Sequence, residues 1–279
     1  KMALDINAIR GRLNKLQNTQ KKSDALWKPT PGKSQVRIVP YKFNKDNPFI
    51  ELYFHYNVNN KTYLSPISFG RPDPIVEFAD KLKRMGDKED WKAAKAMEPK
   101  LRTFVPVIVR GQENEGVKFW GFGKTVYQEI LGYIADPDYG DITDPNAGRD
   151  LTVDYISAED AGTSYPTTTL RVKPNQTPLA EGGDLQKFLD NQTEITELYS
   201  ELSYAELKNV LEGWLNPSAT SDDDGTTSVV EETLSTNTTS KATPSVSHDL
   251  GGSIETPTQP PVSKKTDDVA AAFDDLFNN

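Results

Sequence analysis

The chain has 279 residues, no cysteine and a net charge of −9 at pH 7. A chain without cysteine has no disulfide framework and no thiolate metal site, and no run of about 18 apolar residues is present that could cross a bilayer. The charge is unevenly distributed, because residues 217–279 hold 11 acidic and 3 basic residues whereas residues 1–24 hold 6 basic and 2 acidic residues. Opposite charge at the two ends predicts a nucleic-acid-binding arm and an acidic tail.

Residues 1–24 predict a basic N-terminal arm without the apolar stretch of a secretory signal. Apolar residues recur at helical spacing at Leu4, Ile9, Leu13 and Leu16. Such a helix either packs on its own domain or contacts a neighbouring protomer or phosphate. The short apolar stripe and the polar stretch after it favour the second interpretation. The basic residues expected to make these contacts, with a neighbouring protomer or with phosphate, are Arg10, Arg12, Lys15, Lys21 and Lys22.

Residues 25–67 predict β structure, because apolar and polar residues alternate along them. Gln35–Tyr41 is one such run and Phe49–Val58 is another. Asn59-Asn60 gives a tight turn into Lys61–Ile67, so the second and third runs predict a hairpin.

The middle of the chain alternates helical and extended patterns. Asp73-Pro74 predicts a helix start and Gly86 its end, with a second helix reaching Met97. Further along, the patterns predict strands at Phe104–Val109, Val117–Gly123, Leu151–Ile156 and Thr168–Lys173, and a helix at Lys124–Ile134.

Residues 184–215 predict two helical segments that form one packed subdomain. The second segment begins with a capping box, Ser203-x-x-Glu206. The predicted fold class is therefore α+β. Its core, residues 25–216, is expected to be an OB-fold-like β-barrel with an attached helical subdomain.

Residues 217–279 are rich in Ser, Thr, Asp and Pro, and this composition predicts a disordered acidic tail. Its last residues are either an inert solubilising end or a docking peptide for partner proteins, and the terminal Phe residues favour docking. A polyanionic tail would also compete with DNA phosphate for basic surfaces, more weakly as salt increases. The docking residues are expected to be Asp267, Asp268, Phe273, Asp274, Asp275 and Phe277.

The residues argue against catalysis. His55 and His248 are the only histidines, and His248 lies in the predicted tail, so a Ser/His/Asp or Cys/His site is nearly excluded. Gly121-Phe122-Gly123-Lys124 lacks the spacing of a phosphate-binding Walker A loop. We therefore expect a protein that is not an enzyme.

The core pattern instead suits binding of single-stranded nucleic acid, which needs basic groups along the phosphates and aromatic rings that stack on bases. Lys118 and Trp120 share one side of a predicted strand, and Phe119 is expected to face the core. Core packing is the alternative for each aromatic residue, and Trp120 is the one most expected to be exposed. The candidate binding residues are Arg37, Lys42, Lys100, Arg102, Phe104, Lys118, Trp120, Lys124, Arg171 and Lys173.

Several motifs resemble those of the single-stranded DNA-binding proteins of T-even-type bacteriophages. These are Val36–Pro40, the segment Phe104–Lys124 with its Glu-Asn-Glu-Gly turn, and the acidic end Asp274–Asn278. The order of arm, OB core and acidic tail agrees over essentially the whole chain. The resemblance implies that Arg37 and Arg102 contact the DNA backbone, and that Phe104 and Trp120 line the binding cleft.

One departure from this family concerns its structural zinc, which one His and three Cys hold. His55 lies at the position of the ligand His, but Ser65–Val76 contains no cysteine, so we expect no cofactor and no bound zinc. Apolar packing of Ile67, Phe69, Ile75 and Phe78 is expected in its place.

The resemblance implies cooperative, sequence-independent coating of single-stranded DNA during phage replication, recombination and repair in the cytoplasm of the infected host. The expected partners are single-stranded DNA, neighbouring copies of the protein, and phage replication and recombination proteins that bind the tail. No interaction with a membrane is expected. A regulator that binds single-stranded RNA and a scaffold that binds no nucleic acid stay open as alternatives.

Overall fold

The structure is a computed structural model that describes residues 10, 12–13, 24–86, 88–180, 184–199, 201–216 and 266–277. Two compact units are present. Unit 1 comprises Lys1–Tyr53 and Leu101–Ser200, and unit 2 comprises Phe54–Lys100 and Glu201–Asn279. The predicted α+β class is confirmed, since one large sheet and several helices are present.

The sheet has eight strands in the order β1-β6-β5-β2-β7-β8, and β3 pairs with both β4 and β5. β1 runs parallel to β6, whereas β2 pairs antiparallel with β5 and β7. The β5–β6 and β7–β8 pairs are also antiparallel. The strands are β1 (Leu26–Trp27), β2 (Gly32–Ile38), β3 (Ile50–Val58), β4 (Lys61–Leu64), β5 (Lys100–Val109), β6 (Lys118–Phe122), β7 (Arg149–Ile156) and β8 (Thr167–Gln176).

Seven α-helices lie within the described residues, together with short 3₁₀ turns at Pro66–Phe69, Glu113–Glu115 and Ile195–Leu198. None of these helices is long and apolar enough to span a bilayer. The helices are α1 (Pro74–Met85), α2 (Lys88–Met97), α3 (Lys124–Ala135), α4 (Ala158–Ala161), α5 (Asp184–Asp190), α6 (Tyr204–Leu215) and α7 (Thr266–Phe277).

The sheet of unit 1 is covered on both faces. On one face, Val105 and Val107 of β5 pack with β2, β6, β7 and Ile130 of α3. On the other face, Ile108 packs with Val39, Leu179 and the apolar side of α5. A strand that is buried on both faces carries apolar residues continuously, which explains the run of buried residues in β5.

Unit 2 is built from the β3–β4 hairpin and helices α1, α2, α6 and α7. Asn59 and Asn60 form the hairpin turn with φ of 51° and 57°, a left-handed conformation that Asn tolerates. Asp73 caps α1 by accepting hydrogen bonds from the backbone N–H groups of the next turn, and Gly86 ends the helix with φ of 81°. These local predictions are confirmed.

The predicted helical subdomain over residues 184–215 is wrong. α5 belongs to unit 1, where Leu185, Phe188 and Leu189 pack against the sheet, whereas α6 packs in unit 2. Both helices have apolar faces, and the sequence does not report which surface each face covers. Within the predicted tail, Thr266–Phe277 forms a helix, and the rest of the tail lies outside the described residues.

Candidate nucleic-acid interface

Trp120 lies in the core of unit 1, so the prediction that it is exposed is wrong. Its side chain is 2 % exposed, and its ring centroid lies 5.6 Å from that of Trp27 and 4.7 Å from that of Phe122. Lys118 and Trp120 do share a side of β6, since their partners on β5 are Val107 and Val105. That side faces the core. Strand alternation shows which residues share a face, but it does not show which face is buried.

Arg37 is also buried, which corrects its predicted contact with the DNA backbone. Its Nε donates to Oδ1 of Asp150 (2.8 Å) and its Nη2 donates to the carbonyl oxygen of Thr177 (2.7 Å). Arg110 donates to both carboxylate oxygens of Asp150 as well. Burial lowers the pKa of Arg37, although the attraction of Asp150 opposes this shift. Arg37 therefore holds β2, β7 and the chain after β8 together.

Phe104 and Arg102 lie on β5, on the face opposite to Val105, and Phe104 is paired with Gly121 of β6. Arg102 is half-buried and its Nη2 donates to the carbonyl oxygen of Gly121 (2.9 Å). Phe104 is 4 % exposed, and its ring lies 5.5 Å from that of Tyr199. Of the two residues, Arg102 is the more exposed.

The connection between β2 and β3 carries an exposed aromatic residue that the sequence analysis did not select. Phe43 is 48 % exposed, and its ring centroid lies 5.4 Å from that of Tyr41, which in turn lies 6.0 Å from that of Phe119 on β6. Lys42 places its Nζ 5.7 Å from the Phe43 ring centroid. We call Tyr41, Phe43 and Phe119 the aromatic row. Its exposed end offers a stacking surface beside a cation.

The charge around the aromatic row is mixed. Lys42 and Lys45 are exposed, but the Lys42 Nζ donates to the carbonyl oxygen of Asp190 (2.9 Å). Burial raises the pKa of Tyr41, and the nearby carboxylates of Glu194 and Glu197 raise it further. The positive charge here therefore comes from a few lysines on the β2–β3 connection.

The remaining predicted residues are spread over the sheet. Lys100 and Lys124 are exposed, and Lys118 forms an ion pair with Glu115. Arg171 is exposed and Lys173 is half-buried on β8. In the strand order, three strands separate β8 from β6, which carries Phe119 of the aromatic row.

Unit 2 presents aromatic–cation pairs of its own. Trp91 on α2 is 49 % exposed, with the Nζ of Lys95 lying 4.9 Å from its ring centroid. Lys88 and Lys92 on the same helix are exposed as well. The signal in the sequence was an aromatic residue with lysines three residues before it and one and four residues after it, which places one ring among cations on a helix surface.

A polar cluster occupies the region where the resemblance implied a zinc ligand. Nδ1 of His55 donates to the carbonyl oxygen of Met97 (2.8 Å), and Nε2 lies 2.9 Å from Oδ2 of Asp73. Asp73 also accepts from the hydroxyl of Ser65. Both ring nitrogens of His55 are engaged and Ser65 is a poor zinc ligand, so these residues do not fit a zinc site. Among the described residues, no group of three His, Asp or Glu side chains could hold a metal ion.

Hydrogen bonds explain the acidity of Asp73. Burial alone would raise the pKa of this carboxyl, but the hydrogen bond and the electrostatic attraction of His55, together with the hydrogen bonds from Ser65 and the Ile75 backbone, outweigh burial and hold the pKa below its ordinary value. The expected apolar packing is present only in part. Ile75 and Phe78 are buried, Ile67 is half-buried and Phe69 is 37 % exposed.

The two ends of the chain are described only in part. Arg10 and Arg12 are exposed, while Lys15, Lys21 and Lys22 lie outside the described residues. In α7, Phe273 is buried, Phe277 is half-buried and Asp275 is exposed. The side chains of Asp267, Asp268 and Asp274 are not described.

Comparison with known proteins agrees with the resemblance drawn from the motifs. No curated protein matches the chain. Residues 30–212 match the family described as "gp32 DNA binding protein like". This match covers β2 to α6 and thus spans residues of both units. The chain therefore belongs to the gp32-like family of DNA-binding proteins, in agreement with its resemblance to single-stranded DNA-binding proteins.

Proposed function

We propose that this protein coats single-stranded DNA stoichiometrically, cooperatively and without sequence preference, and that it catalyses no reaction. The observation that carries the proposal is the family match over residues 30–212. Support comes from the exposed rings of Phe43 and Trp91, each beside a lysine ammonium group. Stacking on such rings tolerates any base, because every base has a π face.

The sheet of unit 1 is, in this proposal, of the OB type. β2 pairs along one edge with β5 and along the other with β7, and β5 pairs with β2, β3 and β6. Strands that share partners in this way are expected in a small, strongly bent antiparallel barrel. The β2–β3 connection with Phe43 would then be the first long loop of the barrel, a usual place for contacts with nucleic acid.

The biological setting we propose is phage DNA replication, recombination and repair in the cytoplasm of the infected host. Exposed Arg10 and Arg12 suit contacts of the arm with a neighbouring copy or with phosphate. The acidic end of the chain would recruit replication and recombination proteins. Neutralisation of phosphates by lysines releases counterions, so binding should weaken as salt increases.

The test is a titration of the protein into labelled oligo(dT), oligo(U) and duplex DNA, with fluorescence anisotropy measured at two salt concentrations. Anisotropy is the better primary signal, because Trp27 and Trp120 are buried and cannot stack on a base. Tryptophan emission, recorded in parallel, would report on Trp91 and on the half-buried Trp214. A Trp91→Phe variant is the matched control, since its ring still stacks but the Trp91 part of the emission change is lost.

Tight, salt-sensitive binding to oligo(dT) with weaker binding to the other two would support the proposal. Equal or tighter binding to oligo(U) would favour an RNA-binding protein. No binding to any of the three would contradict the proposal and favour a scaffold. Turnover of the oligonucleotide during the titration would contradict the non-catalytic part.

A further inference from the structure

The C-terminal helix α7 is docked in a groove of unit 2. We define the α7 groove by Phe78 and Lys81 of α1 and by Tyr204 and Lys208 of α6. Phe273 of α7 is 4 % exposed, and its ring centroid lies 6.0 Å from that of Phe78. The apolar residue of α7 that enters the groove thus contacts the core of unit 2.

Charge adds to this apolar contact. The Nζ of Lys208 lies 5.8 Å from the ring centroid of Phe273 and 5.3 Å from that of Phe277, and it donates to the carbonyl oxygen of Phe277 (3.1 Å). Lys81 forms an ion pair with Asp275. A cation at the C-terminal end of a helix is favourable, because the last carbonyl groups carry partial negative charge. The groove is therefore specific for an acidic helix that carries Phe at two positions four residues apart.

The connection to α7 is much longer than this docking requires. Residues 217–265, which number 49, join α6 to α7, although the two helices contact each other. Since an extended chain spans about 3.3–3.6 Å per residue, these residues could reach roughly 160–175 Å. A tether of this reach permits the same docking on a second molecule whenever two copies are held side by side.

We propose that the α7 groove binds the C-terminal helix of a neighbouring copy, so that α7 links adjacent copies on coated DNA. This inference rests on the proposed coating function, which places copies next to each other. The contacts are the same within one copy and between copies. The exchange therefore needs no new surface, and high local concentration on the strand favours it.

Two variants that cannot dock within one molecule test the proposal. The first keeps α7 but carries Lys81→Glu and Lys208→Glu, which set negative charge against Asp275 and the helix end. The second keeps the groove but ends at residue 265. Circular dichroism checks that both are folded. A full-length chain with Phe273→Glu and Phe277→Glu replaces the second variant if the truncated chain fails to fold.

Sedimentation velocity is then measured on each variant alone and on their mixture, with and without oligo(dT) long enough for two copies. Only the mixture offers an intact helix and an intact groove, so we expect a complex in the mixture that neither variant forms alone. Adding Phe273→Ala to the first variant should weaken this complex at least ~10-fold. A mixture that sediments as the sum of its parts overturns the proposal.

Binding to oligo(dT) separates this proposal from the proposed function. If the second variant binds oligo(dT) but does not associate with the first, the α7 link is wrong and DNA coating stands. If the wild type and both variants fail to bind oligo(dT), the proposed function fails, and the mixture without DNA still tests the groove. A complex that persists with Phe273→Ala also overturns the proposal, because its contacts would lie elsewhere.

Discussion

The ring of Phe104 lies against Gly121, close enough that a Cβ atom at residue 121 would stand 2.7 Å from the ring carbon Cε1. The two residues are paired across β5 and β6, and Arg102 bonds to the carbonyl oxygen of the same glycine. Real Cβ contacts essentially never come this close. The absence of a side chain at Gly121 therefore allows the Phe104 ring to lie close to the neighbouring strand, where it also contacts Tyr199.

The substitution Gly121→Ala should force the buried Phe104 ring to move and should destabilise the protein by about 1–3 kcal/mol, measured by urea unfolding. Gly132→Ala is the matched control. Apart from its chain neighbours and the backbone of its own helix, no atom lies within 4 Å of the added Cβ, and in helix α3 alanine should stabilise by up to about 1 kcal/mol. Equal effects of the two substitutions would contradict the close contact.

Phe43→Ala should weaken binding to oligo(dT) by roughly 5- to 150-fold, the loss of one base–aromatic stack, with little change in stability. The ring is 48 % exposed, so its removal leaves a small cavity at most. Tyr165→Ala removes another exposed ring, in the connection between β7 and β8, and should leave affinity within about 2-fold. Anisotropy titrations measure both. Unchanged affinity in Phe43→Ala would remove the aromatic row from the interface.

Trp120→Ala should lower the free energy of unfolding by about 3–5 kcal/mol, because the ring is enclosed by Trp27 and Phe122. Trp91→Ala should change stability by no more than about 0.5 kcal/mol and should lower affinity for oligo(dT). Comparing the two tryptophans separates packing from stacking. A stable Trp120→Ala protein with weakened DNA binding would instead return Trp120 to the interface.

Asp73 should make the stability of unit 2 depend on pH in the acidic range. Its pKa is lowered in the folded state, so its contribution is complete above the unfolded pKa of about 4 and is lost as pH falls through the folded pKa. Asp73→Asn should cost about 1–3 kcal/mol at pH 7 and should reduce the acid-induced loss of stability below pH 4.

Asp80→Asn is the matched control on the same helix. Asp80 pairs with Lys83 at the surface, so its substitution should change stability by no more than about 0.5 kcal/mol. Urea unfolding between pH 2 and 7 measures both variants. Parallel pH profiles for Asp73→Asn and the wild type would show that the His55–Asp73–Ser65 cluster does not carry this dependence.

Features that depend on neighbouring residues in the chain were predictable. Asp73-Pro74 begins α1, Asn59-Asn60 turns the β3–β4 hairpin, and the Ser203–Glu206 capping box begins α6. Each of these signals acts within about four residues. The sequence therefore specifies them regardless of how the rest of the chain folds.

Burial of individual side chains was not predictable, because distant segments cover them. Trp120 is covered by Trp27 from β1, and Arg37 is enclosed by Asp150 and Thr177. An arginine among apolar residues suggested a DNA contact, but a carboxylate 113 positions later makes it a core residue. The exposure of Phe43 was not predictable either. Phe43 is an isolated aromatic residue between polar neighbours, and the sequence does not indicate whether a distant segment covers its ring.

The pairing of Arg37 with Asp150 also implies a delay during synthesis, because Arg37 is made well before its partner. The two residues are separated by 113 positions, and Val36 of β2 has its two strand partners at Val109 and Leu151. At about 5–20 residues per second, a ribosome needs roughly 6–23 s to extend the chain from one charge to the other. During that interval the edge of β2 that later pairs with β7 stays open and the Arg37 guanidinium lacks its carboxylate, so this strand is exposed to pairing with other chains until β7 is made.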